Sequence, residues 1–366
     1  LRNIQSAGYY YLTNDIMIDG WWTNNGISRI YHPIESWHPP DGVVLCLNGH
    51  AVRYKTQFTG DQQNMIVVDK GRTFTLTDCN PAAENTCYIP SVDGNGKLIT
   101  KEVDIYEIWM TSFSFSHKKS LPLFKTEIVK GGVLAGGVPT PDRLDYGYGD
   151  SHLNEDADST PYLTAVKVEG GTFTMYGGTI CGCLGKENGG GVCAVARVDW
   201  SGDKHSDYIS TVNLLDGTIS DNAAKNGGGV SMEGCKYTID GTTITQNTAK
   251  ENGGGVHMSL MKSASFSSSW YSTTIDSTGT FKSGSITGNT VEGNGGGIYA
   301  AYGSYIDVEG KPQIKSNGNG KNEPDNLYSQ NNNALKVTGS LEGSDIGIRN
   351  PLSGQFSVSG SYQLKP

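Results

Sequence analysis

Residues 187–194 read ENGGGVCA, residues 225–232 KNGGGVSM, residues 251–258 ENGGGVHM and residues 293–300 GNGGGIYA. Four copies of Asn-Gly-Gly-Gly before a β-branched residue decide how the chain is read. The triplets begin at Gly189, Gly227, Gly253 and Gly295. Some way before each stands a smaller glycine turn: YGGTICG from Tyr176, LDGTISDN from Leu215, IDGTTITQN from Ile239 and KSGSITGN from Lys282. After the triplets run alternating segments such as GVSMEG, GVHMSL and GIYAAY. Period-two alternation without a helical stripe makes each unit strand, turn, strand, turn, strand. Unequal repeats of this size mark a solenoid with insertions rather than a propeller of equal blades.

The composition agrees. The chain has 366 residues with 50 glycines but only 13 prolines, which excludes a collagen-like helix or a flexible linker. It suits a fold that turns often at positive φ, where glycine alone is unstrained. The net charge of −9, with no Lys/Arg-rich stripe, argues against nucleic acid as a partner. No apolar run approaches the ~20 residues of a membrane span. The opening LRNIQSAGYYYLTND enters a strand pattern at once, so the chain reads as a mature or trimmed piece of a longer surface protein. Seven cysteines are too few and too scattered for a disulfide scaffold. Cys79 and Cys87 are spaced to close a loop, while Cys181, Cys183, Cys193 and Cys235 read as buried thiols.

The expected fold is all-β: a right-handed parallel β-helix, a solenoid with long loop insertions on one face. It forms a single domain over 1–366, with opening coils over 1–80, insertion-rich coils over 81–160 and regular NGGG[VI] coils over 161–366. Asn222, Asn247, Asn289 and Asn317 each follow an Ile by three residues. An inward Asn at one turn can satisfy buried turn amides and bond its neighbour in the next coil.

The segment GGTFTMYGGTICG and the four NGGG[VI] segments, with GYYYLTNDIMI, GVVLCLNGHAV and MIVVDKGRTFTLTDC upstream, resemble the parallel β-helix repeats of large bacterial surface and secreted proteins. The resemblance covers nearly the whole chain. It implies the pectin-lyase-like fold and an extracellular or bacterial cell-surface location, and it is shared by enzymes and adhesins. Among the enzymes the chain resembles the secreted lacto-N-biosidases of gut bacteria, β-helix glycosidases with two Asp residues close in sequence. That likeness points to Asp199, Asp203 and Asp207, or to Asp142, Asp145 and Asp150.

Function on a solenoid gathers where the repeat is interrupted. Insertions follow IMIDG, run from Pro81 to Lys125 and from Val138 to Thr160, and interrupt the coils after GGVCAVARV and GGGVHM. The uninserted coil between the last two is expected to floor a cleft. All six tryptophans lie in or beside insertions, where they either stack on sugar rings or anchor the loops.

Parity counted from the residue after each triplet puts Cys193, Val195, Arg197 and Asp199 outward, then Ser231 and Glu233, then His257, then Tyr299. Glycoside hydrolysis needs two carboxyl groups ~5 to ~9 Å apart, and strands of adjacent coils lie ~4.8 Å apart. The expected catalytic carboxylates are therefore Asp199 with Asp203 or Glu233. Arg197, Trp200, His205, Asp207, His257, Trp270, Tyr271, Tyr299 and Trp37 are the expected substrate contacts. Taken singly, each acid reads first as an ordinary surface residue; it is the set beside aromatic insertions that points to catalysis. No cofactor is implied, although Ca²⁺ at Asp145 and Asp150 is an alternative. A Ca²⁺-dependent polysaccharide lyase would use Arg197 or Lys204 as base. The leading expectation is an extracellular glycoside hydrolase acting on neutral mucin, milk or plant oligosaccharides. The alternative is a non-catalytic adhesin or stalk that binds glycan or protein; the oligomeric state stays open.

Overall fold

A computed structural model describes residues 1, 3–19, 21–24, 29–32, 36–55, 62–110, 113–146, 160–201, 204–266, 270–320, 323–330 and 335–348. Among these the chain is all-β, without a helix. Three sheets are built from parallel pairs of strands far apart in sequence. The largest, of 14 strands, runs through Thr73–Thr77, Thr172–Cys181, Thr211–Ser220, Lys236–Thr245 and Ser277–Thr287. A seven-stranded sheet takes Gln63–Val68, Leu163–Glu169, Val192–Val195, Val230–Glu233, Val256–Ser259, Ile298–Ala300 and Leu327–Ser329 in that spatial order. A four-stranded sheet is made of Ala223–Asn226, Thr248–Asn252, Thr290–Val291 and Gly318–Asn319. The strands therefore stack in register, repeat on repeat, as expected of parallel strands.

The residue after each glycine triplet begins the inward row. Val192, Val230, Val256 and Ile298 are paired in register and fully buried. Ala194, Met232, Met258 and Ala300 form the next inward row. Each large aliphatic side chain so buried contributes ~1.5–3 kcal/mol. In the large sheet Phe74 and Phe173 stack with centroids 6.0 Å apart, and Trp37 meets Phe74 edge-on at 5.5 Å, all in the same buried cluster.

The turns use glycine where space demands it. The first glycine of each triplet, Gly189, Gly227, Gly253 and Gly295, has φ of 66, 62, 67 and 72°. The second is held by close approach: a Cβ on Gly228 would lie 2.2 Å from the Thr248 carbonyl oxygen. The Asn before the triplet adds a rung of its own, with Asn252 Nδ2 donating to Asn226 Oδ1 at 3.1 Å and Asn226 Nδ2 to Asn188 Oδ1 at 3.3 Å.

The interior asparagines form the expected ladder. Asn222, Asn247 and Asn289 each donate through Nδ2 to the Oδ1 of the next, at 3.0, 3.0 and 2.9 Å. The same oxygens accept the backbone N–H of Asn222, Asn247 and Asn289 at 3.1, 2.9 and 3.0 Å. Each Nδ2 also donates to an Ile carbonyl of the repeat behind: Ile180, Ile219 and Ile244, at 3.0, 2.8 and 2.9 Å. Asn326 continues the series by accepting from Asn317 at 3.1 Å. At the other end Cys183 occupies the ladder position, three residues after Ile180, and its N–H donates to Asn222 Oδ1 at 3.0 Å.

Two expectations are corrected. Among the described residues several insertions fold as antiparallel hairpins rather than loops: Arg197–Ser201 with Lys204–Tyr208, Met261–Phe266 with Trp270–Ile275, and a long hairpin of Glu84–Pro90 with Phe124–Lys130 whose connection carries the further pair Thr100–Met110 and Phe113–Pro122. Cys79 is disulfide-bonded to Cys46 rather than to Cys87, because the strands Val43–Cys46 and Thr73–Thr77 are paired neighbours whose ends bring these two together.

Replacing Asn247 by Ala strands the Ile219 carbonyl and the Asn222 donors in a dry interior. Unfolding by denaturant should show a loss of about 3–5 kcal/mol. Asn226→Ala, which removes part-buried bonds at the corner, should cost about 1 kcal/mol.

Candidate functional site

Seven-stranded-sheet strands end at the corner where two of the hairpins arise. Ala196 N–H donates to the Glu233 carbonyl at 2.9 Å, and the chain then leaves in the hairpin 197–208. The strand Val256–Ser259 likewise leaves in the hairpin 261–275. A buried serine closes each neck. Ser210 Oγ donates to the Val195 carbonyl at 2.6 Å and accepts from Gly170 N–H at 2.7 Å. Ser277 Oγ does the same with the Ser259 carbonyl at 2.7 Å and Cys235 N–H at 3.1 Å.

Between the hairpins the strand Val230–Glu233 turns directly through Gly234, the expected floor of a cleft. The hairpins instead meet above it. A Cβ on Gly234 would lie 2.6 Å from Met261 Cβ and 3.2 Å from both Ala196 Cβ and Ile275 Cβ. Further out, Trp200 Nε1 donates to Ser263 Oγ at 2.8 Å. The floor is covered because Ala196, Met261 and Ile275 at the hairpin bases converge on Gly234, which has no side chain to hold them off.

Asp199 and Arg197 do not continue the outward row of the sheet. That row ends at Val195, and both residues belong to the hairpin, where Arg197 pairs with Tyr208 and Asp199 with Ser206. Lys70 binds one Asp199 oxygen and Arg197 Nε the other, at 2.8 Å. These two hydrogen bonds hold the carboxyl below its ordinary pKa. Trp200 packs on His205 with centroids 5.0 Å apart, and His205 Nδ1 lies 2.7 Å from Asp207 Oδ1. Each of these groups is engaged within the hairpin, with Lys70 beside it or, for Trp200 Nε1, with Ser263 of the second hairpin.

Cys193, Ser231, His257, Tyr299 and Tyr328 do form one row. His257 and Tyr299 stack at 5.6 Å and Tyr299 and Tyr328 at 5.4 Å. Tyr299 is 7 % exposed and Trp37 is also 7 % exposed. Neither presents a ring face to solvent: Trp37 is an anchor in the core, and Tyr299 is sandwiched by its neighbours. Asp203 and Asp150 lie outside the described residues, as do the side chains of Trp270, Tyr271 and Asp145. Among the described residues no three His, Cys, Asp or Glu side chains converge as metal ligands.

Two concavities lie among the described residues named so far or beside them. Glu233 lines one of about 300 Å³ with Ser259, Lys262, Tyr302 and Gln330. Burial raises the Glu233 pKa, opposite to the shift at Asp199. The other, about 590 Å³, lies on the four-stranded sheet, with Leu98, Tyr162, Leu184, Ala223 and Ala224 as apolar lining and Glu187, Lys225, Lys250, Glu251 and Glu292 among its charged groups. Lys225 Nζ reaches Glu187 at 3.0 Å and Glu251 at 3.8 Å, and these two carboxylates raise its pKa. Glu187, Lys225 and Glu251 each precede the Asn of a triplet, so their alternation was visible in the repeat. The wall contributed by Leu98 comes from a distant insertion and was not.

No protein-family model, curated protein or solved structure matches the chain.

Burial holds the His257 pKa down to about 4, against ~6.5 for a free imidazole. The folded value lies below the unfolded one, so this contribution is complete above pH ~6.5 and is lost as pH falls toward 4, up to about 3 kcal/mol. Thermal midpoints recorded across that window should fall, and His257→Phe should flatten that limb while keeping the stack on Tyr299.

Proposed function

We propose that the chain is a right-handed parallel β-helix of the extracellular or bacterial cell-surface kind and that it works as a glycan-binding protein. The observation that carries the binding reading is the 590 Å³ groove, where an apolar floor is rimmed by Lys and Glu from successive strands. Concave sites with an apolar bed and a few convergent polar groups are ordinary ligand sites. Ammonium donors alternate with carboxylate acceptors, which suits a neutral chain of hydroxyl groups better than a polyanion. The Cys46–Cys79 disulfide supports an oxidising compartment. In register, the parallel pairing of strands one repeat apart supports the helical winding.

Hydrolysis is the second reading, favoured by Glu233. A half-buried carboxyl with a raised pKa is suited to donate a proton to a leaving oxygen. Glu169 stands two strands away in the same row, through Val195, a Cα separation of ~10 Å. Asp199 is less suited as its partner, since two cations already hold it.

Titration of the chain with neutral mucin-type, milk-type and plant oligosaccharides should give saturable binding without released sugar. Lys225→Ala and Glu251→Ala should each weaken binding about tenfold, or ~1.4 kcal/mol, with unchanged thermal midpoint. Binding untouched by both would remove the groove from consideration. Sugar release abolished by Glu233→Gln would establish the hydrolytic reading instead.

A further inference from the structure

The hairpin of Glu84–Pro90 and Phe124–Lys130 lies against the large sheet, and its inner strand carries Cys87. Opposite stands Cys181, 94 residues later, with the two Sγ atoms 2.8 Å apart. Both are fully buried in a small apolar cluster with Ala51, Ile89, Val133 and Ala135. The sulfurs need to close by only about 0.8 Å to reach the ~2.04 Å of a disulfide bond.

Backbone, not side-chain choice, sets this approach. Tyr88 and Gly182 are the residues next to the two cysteines. A Cβ on Gly182 would lie 2.2 Å from the Tyr88 carbonyl oxygen, and one on Gly137 only 1.6 Å from the same atom. Two glycines without Cβ atoms thus let the hairpin settle directly onto the sheet beside the sulfurs. Cys183 is a weaker candidate for either partner, since its Sγ donates to the Cys181 carbonyl at 3.5 Å. The chain also holds the Cys46–Cys79 bond, so disulfide formation belongs to its folding.

We propose that Cys87 and Cys181 form a second disulfide, which fastens the insertion hairpin to the sheet. This modification site is independent of the ligand reading above. Folding buries both sulfurs, so the bond forms while the hairpin is still docking. The oxidant is an external disulfide, a thiol oxidoreductase or oxidised glutathione. One cysteine thiolate attacks it and gives a mixed disulfide, releasing one oxidant thiol. The second cysteine thiolate then attacks the first cysteine's sulfur and expels the other. Two thiols of the chain are oxidised, losing two protons and two electrons, and one external disulfide is reduced to two thiols. Cys183, Cys193 and Cys235 stay reduced.

The test is alkylation of the full chain, refolded in a glutathione redox buffer and then denatured without reductant in the presence of N-ethylmaleimide, followed by peptide mapping. Of seven cysteines, four are consumed by two bonds, so three should be alkylated, and one cross-linked peptide should join Cys87 to Cys181. Cys183→Ser should leave that cross-link intact. Maleimide on both Cys87 and Cys181 in the wild-type chain would overturn the proposal, and so would a cross-link joining Cys87 to Cys183. Because the mapping is done on the wild-type chain, poor folding of a variant does not affect the outcome.

Discussion

A backbone that turns inside a protein must leave no amide unpaired, and here one asparagine per repeat meets that requirement. A buried N–H or C=O without a partner costs about 1–3 kcal/mol. At each interior corner the Asn side chain accepts the backbone N–H of the preceding Asn and donates to the Ile carbonyl three residues before that one, as Asn247 does with Asn222 and Ile219. Its remaining groups join the next Asn. The same bonds that satisfy the corner therefore also set the distance and register between repeats. The residue just before each Asn sits in the left-handed region, at Asp221, Gln246, Gly288 and Ser316, which turns the amide inward. A one-residue slip of any repeat would break the ladder and expose the inward Val and Met rows together.

The glycine triplet solves a different problem at the next corner. There no side chain fits: the first glycine lies against the carbonyl of the β-branched residue that follows its own triplet, and the second and third against carbonyl oxygens of the following repeat. With both corners held, the connection that follows the seven-stranded sheet is free to vary in length. Ser210 and Ser277 make that freedom harmless by bridging the strand end to the returning chain. Hairpins project from the stack without disturbing it, and polar or aromatic residues accumulate on them.

Legibility followed the repeat. Strand character, inward rows, triplet corners and the asparagine ladder could be read because each recurs at equivalent positions. The row Cys193, Ser231, His257, Tyr299 was legible for the same reason. Counting failed after Ala196, where the chain exchanges one sheet for another and parity no longer refers to the same face. Trp37 lay in an insertion by sequence, yet it packs on Phe74. An aromatic ring in an insertion serves as anchor or platform according to what the rest of the chain leaves beside it. Asp199 has the pattern of a reactive acid in one dimension, but Lys70, 129 residues away, binds it in three.

From its own letters the sequence determined an all-β chain with parallel strands, the interior polar ladder and the corners that only glycine can turn. These depend on neighbours at a fixed offset along a repeat, so a pattern in one dimension suffices. Tertiary structure alone decided which hairpins meet above Gly234, how Leu98 walls the groove beside Lys225 and Glu251, and that Cys87 faces Cys181. Those contacts join segments of unequal and unrepeated length. Their meeting is fixed by how each insertion folds back against the stack, which no local spacing encodes.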